Sequence, residues 1–397
     1  MTLEWKKWEK TGDSHLINRI QWTQKEIEAV QGVFNADWFG YGEFNKDFEK
    51  KLSDYTGIKH IHLTNSGSSA ILVAIKSLIH QGALRRGDLV IHPITTFATS
   101  ISSAIDFGVI PVFVETKPYT YVIDPEEVER AIKKYPQIKG LILPHLLGNV
   151  PDMNRILAAL GNRFLIEDCC DTLGCYFNGK HVGSFGTAAA FSFYGSHHIT
   201  AAGVGGAFGT NRDELSPIAR SIIFWGRDFG AGEEFLNRYK YLTLGTDSQM
   251  TAIQAAFGAQ QMGRLPNIVS ARKKQFDEIN SLFRQYNFFH LPQSHPKAQP
   301  SWFAYPLVVK HDAPFSRAEF VSYLTEKKVE IRPVMCGNIL KQKIFRTVES
   351  IPMHDVFKIG DEIEESGMFI PCWGMPNNQK NDYYGILKQF LDSKNKS

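Results

Sequence analysis

The sequence predicts an α/β fold, with a large, mainly parallel, doubly wound sheet domain and a small α+β domain at the C-terminal end. Three observations carry this. The chain has 397 residues, too many for one small core, and 43% of them are apolar, enough to bury a substantial interior. Short apolar runs alternate with amphipathic helical stretches through the first part of the chain. That alternation then gives way to longer helices and a different pattern.

The elements follow in order. Residues 61–64 are strand-like and 68–79 read as a helix. Residues 89–91 form the next strand and 98–106 the next helix. The pair 109–114 and 125–134 repeats the unit, and 141–143 leads to a helix from Asp152. Residues 164–166 follow, and 188–193 and 206–209 read as further strands. Crossovers between parallel strands are expected to be right-handed. A helix over 251–262 ends at the Leu265-Pro266 break, and a long charged helix follows over 266–286. Residues 293–300, rich in Pro, Ser and Gln, read as a linker, and 301–388 as a small α+β unit. The expected division is 1–265, including the N-terminal segment, and 266–397.

Charge and cysteine usage exclude several classes. The net charge is +3, and no basic run is long enough for a nucleic-acid stripe. No apolar run reaches the length of a membrane helix. Met1-Thr2-Leu3-Glu4-Trp5-Lys6-Lys7 has no apolar stretch after its charges, so no secretory signal is expected. Cys169, Cys170, Cys175, Cys336 and Cys372 are odd in number and irregularly spaced, so reduced thiols and a cytoplasmic location are the simplest reading. No metal is expected: the adjacent Cys169 and Cys170 lack the two-residue gap of a zinc knuckle.

Four segments at strand ends carry the chemistry. Asn65-Ser66-Gly67-Ser68 stands between a strand and a helix, where small residues and a helix N-terminus suit an anion. An ordinary capped turn has the same residues. His92-Pro93-Ile94-Thr95-Thr96-Phe97 follows another strand, and Phe97 alone would read as core. Leu165-Ile166-Glu167-Asp168 ends a strand with two carboxylates, which a simple cap would also explain. Finally, Phe191-Ser192-Phe193-Tyr194-Gly195-Ser196-His197-His198 precedes the glycine-rich turn Gly203-Val204-Gly205-Gly206. An imidazole titrates near neutral pH and can both take and return a proton.

Taken together and in this order, the segments resemble the DegT/DnrJ/StrS-type sugar aminotransferases, which use pyridoxal phosphate. They are most similar to the nucleotide-sugar 3-dehydratases of that family (GDP-4-keto-6-deoxymannose 3-dehydratase type), in which a histidine replaces the Schiff-base lysine. Leu146-Leu147-Gly148-Asn149, Ser301-Trp302-Phe303, Arg332-Pro333 and Gly337-Asn338 extend the resemblance over nearly the whole chain. It implies an aspartate-aminotransferase-like (fold type I) architecture and pyridoxal 5'-phosphate or pyridoxamine 5'-phosphate as cofactor. Gly67, Ser68 and Ser192 would then hold the cofactor phosphate, Phe97 would stack on the ring, and Asp168 would face the pyridine nitrogen. Asp171 would be a second polar contact, and Asp247 would reach the partner's cofactor in a homodimer. His197 would be the base, and Trp302, Arg332 and Asn338 would contact the nucleotide sugar. The implied activity is 3-dehydration of a nucleotide-linked 4-keto-6-deoxyhexose in deoxysugar biosynthesis, with glutamate as amino donor.

Three departures leave alternatives open. Trp225-Gly226-Arg227-Asp228 is followed by Phe229-Gly230-Ala231, without the cysteines that bind an iron–sulfur cluster in the reductase-coupled branch. Asp247 and Gln249 stand where the family has an asparagine and a basic residue, and an anion there would repel a phosphate. The turn from Ala201 to Gly206 is one residue longer than the family's and lacks its glutamate. A reductase-coupled dehydratase and a catalytically degenerate binding protein are therefore the rival readings. Aminotransfer through Lys180 is disfavoured by its polar, solvent-facing turn.

Overall fold

In the computed structural model residues 14–395 are described, and the N-terminal reading at Met1 to Lys7 falls outside them. Strand β1 (His60–Thr64) leads into the helix Gly67–His80, and β2 (Leu89–Pro93) into Thr99–Asp106. β3 (Ile110–Val114) leads into Pro125–Lys134, and β4 (Gly140–Pro144) into Met153–Leu160. Side-chain caps start three of these four helices: Ser66, Asp124 with a proline following, and Asp152 each accept a first-turn amide. β5 (Phe164–Asp168), the short pair β6 (Tyr176–Phe177) and β7 (Lys180–His181), β8 (Ala188–Ser192) and β9 (Gly206–Thr210) follow.

The C-terminal part adds β10 (Phe289–His290), β11 (Ala298–Gln299), β12 (Tyr305–Val309), β13 (Ile351–Pro352) and β14 (Gly367–Ile370). The main sheet has the order β1-β9-β8-β5-β4-β2-β3-β13. Every residue of β2, β4 and β5 is buried, as a parallel sheet covered on both faces requires. Successive side chains feed opposite layers: Ile91, Leu141 and Leu165 one, Val90, Ile142 and Ile166 the other.

One direction departs from the expected parallel pattern. β9 is antiparallel to both β8 and β1. The chain returns from β8 to β9 without a crossover helix, which only an antiparallel pair permits. That return, residues 193–205, carries both histidines back over the C-terminal end of β5.

The small domain is built on the antiparallel order β10-β12-β14. The helices Leu265–Phe283 and Asn377–Asn395 cover it through a core that includes Phe276, Phe283, Tyr305, Phe320, Tyr383 and Phe390. Two segments cross the expected boundary near residue 265. β13 pairs with β3 of the large sheet, and Ile339, Phe345 and Phe357 join the large domain's core. Conversely, His15 pairs with Val329, and the Trp373 indole donates to the Leu16 carbonyl, so the start of the described chain lies on the small domain. Local periodicity reports which face of an element is apolar, not which distant element covers it. The expected linker over 293–300 is also anchored: β11 pairs with β6, and the Asn149 amide donates to the Gln293 carbonyl.

Candidate active site

A cavity of about 540 Å³ opens where β5 and β8 end, walled by the N-terminus of the helix Gly67–His80 and by the small domain. One corner of it depends on glycine. A Cβ on Gly67 would lie 2.7 Å from both the Ser192 Cβ and the Cys170 Sγ. A Cβ on Gly206 would lie 2.3 Å from the Ser66 carbonyl carbon. The absence of side chains therefore lets β9, β8 and the helix N-terminus converge. Ser66 caps that helix by accepting from Ser69 N–H, and the Ser68 hydroxyl donates to Thr99. Gly67, Ser68 and Ser192 all line the cavity.

The floor is the end of β5. Asp168 accepts from the Ser100 hydroxyl and from the Cys170 backbone amide. Its neighbour Glu167 points the other way, fully buried, and accepts from His145 and from the amides of Gly183, Phe185 and Gly186. Those bonds fix the strand end and account for this buried carboxylate. Asp171 accepts from Leu147 N–H, and Leu147 holds a strained φ of 55° to present it. Burial and the neighbouring Asp168 charge push the Asp171 carboxyl up to about 7, against the pull of Leu147 N–H and Arg272.

His197 Nε2 stands 3.9 Å from an Asp171 oxygen, and its ring meets Phe303 edge-on at 5.3 Å. Burial pushes the imidazole down to about 3, helped by the positive charges of Arg272 and Arg332. The His197 imidazole is therefore neutral at physiological pH. His198 faces away, held by the Ser301 hydroxyl and carbonyl. Among the described residues, the cavity lining includes His197 and Arg332 but no lysine. Lys180 is exposed, 4.7 Å over the Phe185 ring.

Phe97 lines the cavity and is half exposed. Arg332 also lines it, with its guanidinium paired to Glu330. Two expected substrate contacts fall elsewhere. The Trp302 ring is buried in the small-domain core, stacked 4.7 Å from Phe276. The Asn338 side chain caps a short turn through Leu340 N–H and donates to Asp361. Neither is among the cavity-lining residues, because Trp302 turns into the core between Ser301 and Phe303, and the Asn338 amide is already bonded. Asp247 is exposed, accepts from the Gln249 side chain and does not line the cavity of its own chain. Sequence reasoning missed Ser100, Cys170 and Arg272. Only the first two had a local signal, as a residue in a helix's first turn and one beside the β5 carboxylates.

The residues present fit a phosphorylated aromatic cofactor. A cradle that a Cβ would fill lies beside a helix N-terminus, an aromatic face stands at the mouth, and a hydrogen-bonded carboxylate forms the floor.

Comparison with known proteins adds three kinds of match. The model of the DegT/DnrJ/EryC1/StrS aminotransferase family matches residues 21–383. The chain is 35% identical over 351 residues to the lipopolysaccharide biosynthesis protein RfbH of Salmonella typhimurium, covering 82% of this chain and 80% of that one. It is 29% identical over 384 residues to the GDP-4-keto-6-deoxy-D-mannose 3-dehydratase of Yersinia pseudotuberculosis, covering 93% and 96%. A GDP-perosamine synthase of Caulobacter vibrioides is 35% identical over 252 residues, covering 63% and 64%. Among solved structures, the E. coli GDP-4-keto-6-deoxy-D-mannose-3-dehydratase with bound hydrated PLP superposes with a TM-score of 0.88 at 25% identity, over 95% of this chain and 99% of that one. Such a dehydratase has also been solved with a trapped PLP-glutamate geminal diamine.

Proposed function

The chain belongs to the DegT/DnrJ/EryC1/StrS aminotransferase family, and from that premise we propose that it is a B6-dependent 3-dehydratase of a nucleotide-linked 4-keto-6-deoxyhexose. One observation carries the reading: the cavity offers a neutral histidine, His197, and no lysine. A transaminating member of such a fold needs an amine to hold its cofactor covalently. A histidine keeps the base and removes that amine.

Each residue then has a task. Gly67, Ser68 and Ser192 hold the phosphate of pyridoxal or pyridoxamine phosphate, Phe97 covers one ring face, and Asp168 keeps the ring nitrogen protonated. When bound, the group supplies an electron sink for the charge left by proton removal. His197 accepts a proton at Nε2 and returns it without leaving the cavity. Asp171 is a polar contact beside it. Arg332 offers a cation to the nucleotide's phosphates, and glutamate serves as amino donor. A homodimer fits the exposed apolar side chains of residues 225–249, and Asp247 would face the partner's cofactor.

The departures at Asp247 and Gln249 favour a second reading, a protein that binds cofactor or nucleotide sugar without turnover. The reductase-coupled reading has no such support, because the segment after Asp228 carries no cysteine. The deciding experiment loads the protein with pyridoxal phosphate, adds glutamate, and offers GDP-, CDP-, dTDP- and UDP-linked 4-keto-6-deoxy sugars. Loss of the C3 hydroxyl without a reductase is expected. No glutamate half-reaction and no 3-deoxy product would leave the binding-protein reading, and product only with an added reductase would favour the coupled one.

A further inference from the structure

Arg272, on the long helix Leu265–Phe283, is 1% exposed. Among the described residues it forms no ion pair within 4.0 Å. Its guanidinium donates instead to neutral oxygens: the Phe303 carbonyl at 2.7 Å, the Asn18 side chain at 2.9 Å and, more weakly, the Trp302 carbonyl at 3.5 Å. Its Nε has no partner. A buried cation without a carboxylate is expensive, and an apolar side chain of the same length would avoid the desolvation. Its acceptors show what it does. Asn18, oriented by Arg272, donates its amide to the His197 carbonyl at 2.8 Å. Phe303, held by its carbonyl, sets its ring edge-on against the His197 imidazole.

We propose that Arg272 is a positioning residue for His197, fixing the histidine's backbone through Asn18 and its ring through Phe303 while adding a positive charge that has no direct ion-pair partner. The proposal deepens the function proposed above, since it gives the base its supporting shell. Two parts of the chain that are distant in sequence, the start of the described chain and the entry to β12, meet at this one guanidinium, and through Asn18 and Phe303 they reach the return between β8 and β9.

The charge has its own consequence. The groups facing His197 are Asp168, Cys170 and Asp171 from the end of β5, Tyr194 and His198 on its own return, Arg332 from the small domain, and Arg272. Burial alone disfavours the imidazolium, and Arg272 adds repulsion, as it does at His198. Arg272 itself stays protonated, since burial lowers it only to about 10. The base is therefore available without first losing a proton to solvent.

The test uses the full chain labelled at histidine, with the His197 signal identified by its absence from His197→Asn. Arg272→Met should raise the His197 titration by about one pH unit, the low end of what a nearby charge does. Arg272→Lys should keep the titration low, because the charge remains, yet speed amide exchange across residues 193–205, because a single ammonium nitrogen does not reproduce the planar fork whose two nitrogens reach Phe303 and Asn18. Asn18→Ala should do the same. An unmoved His197 titration in folded Arg272→Met would overturn the electrostatic role. If that variant does not fold, Arg272→Lys and Asn18→Ala decide: unchanged exchange over 193–205 in both would overturn the positioning role. These readouts need no substrate. Absence of dehydration by the wild-type protein would sink the proposed function and leave this inference standing.

Discussion

At the carboxyl ends of β5 and β8 the side chains of Glu167, Asp168 and His198 are buried and hydrogen-bonded, while along residues 225–249 large apolar side chains stand in the open. Glu167 accepts four hydrogen bonds in a dry interior. By contrast Phe235, Leu236 and Leu244 are 91%, 85% and 86% exposed. The hydrogen bonds of the first region are made within one chain. The second would gain about 1.5–3 kcal/mol for each such side chain that a neighbour buried, and clustered exposed apolar surface of this kind marks an interaction site. The proposed base and its supports thus belong to one chain, while the proposed assembly, which would bring Asp247 to the partner's cofactor, belongs to the surface beside them.

The largest expected effect breaks the first region. His197→Asn should lower 3-dehydration by about 100- to 10,000-fold, the usual contribution of a positioned base, while the cofactor's absorbance still shows it bound. Turnover near the wild-type rate would move the base elsewhere, with His198 next in line. Gly206→Ala should come second. Its Cβ would press on the Ser66 backbone, and overpacking of this kind costs about 1–3 kcal/mol. A lower melting temperature together with weaker pyridoxal phosphate binding is expected, and wild-type values for both would mean that the convergence of β9 and the helix is not tight.

Leu236→Asp combined with Leu244→Asp should break the second region alone. Sedimentation at micromolar concentration should show a monomer, with the far-ultraviolet dichroism unchanged. A wild-type protein that is already a folded, fully active monomer would remove the comparison's second half. Within a dimer, Asp247→Asn should have a smaller effect, a modest tightening of cofactor binding, and no change would mean that Asp247 does not face the partner's phosphate.

The regions should also differ in pH response. Burial pushes His62, His92 and His197 down to about 3, His181 to about 4, and His198 well below its usual range. In the unfolded chain these imidazoles take protons near pH 6.5. The folded chain refuses them, so stability is fully present above that pH and falls as pH drops towards 4. Asp171 and Glu49, both pushed up to about 7 by burial, and Glu115, raised for the same reason, act in the opposite sense over part of that window. Five imidazoles against three carboxyls leave a net loss on acidification. Denaturant midpoints at pH 7 and pH 4.5 check this, and a higher midpoint at pH 4.5 would contradict it.

Much of this was legible in the sequence, for local reasons. The strand–helix units announce themselves by apolar runs and caps, and Gly67, Asp168, Ser192 and His197 sit at the ends of those runs. The direction of β9 was not legible, since a strand's pattern is the same read either way. Trp302 illustrates another limit. Ser301 and Phe303 turn towards the histidines while the residue between them turns into the core, and one step along an extended chain reverses the facing. Arg272 and Asn18 meet only through the tertiary fold, and a helical arginine reads as solvated surface until the helix is seen to be covered. The crossing of the expected boundary was not legible for a related reason, because β13 joins a sheet whose other strands lie far earlier in the chain.

The central claim is that this site holds a B6 cofactor beside a base but without a covalent amine. Borohydride reduction of the pyridoxal-phosphate-loaded protein, followed by mass spectrometry, tests it most directly. The wild-type chain should remain unmodified, and the His197→Lys variant, carried through the same reaction, should gain the reduced cofactor at residue 197. A stable cofactor adduct on any lysine of the wild-type chain would contradict the account.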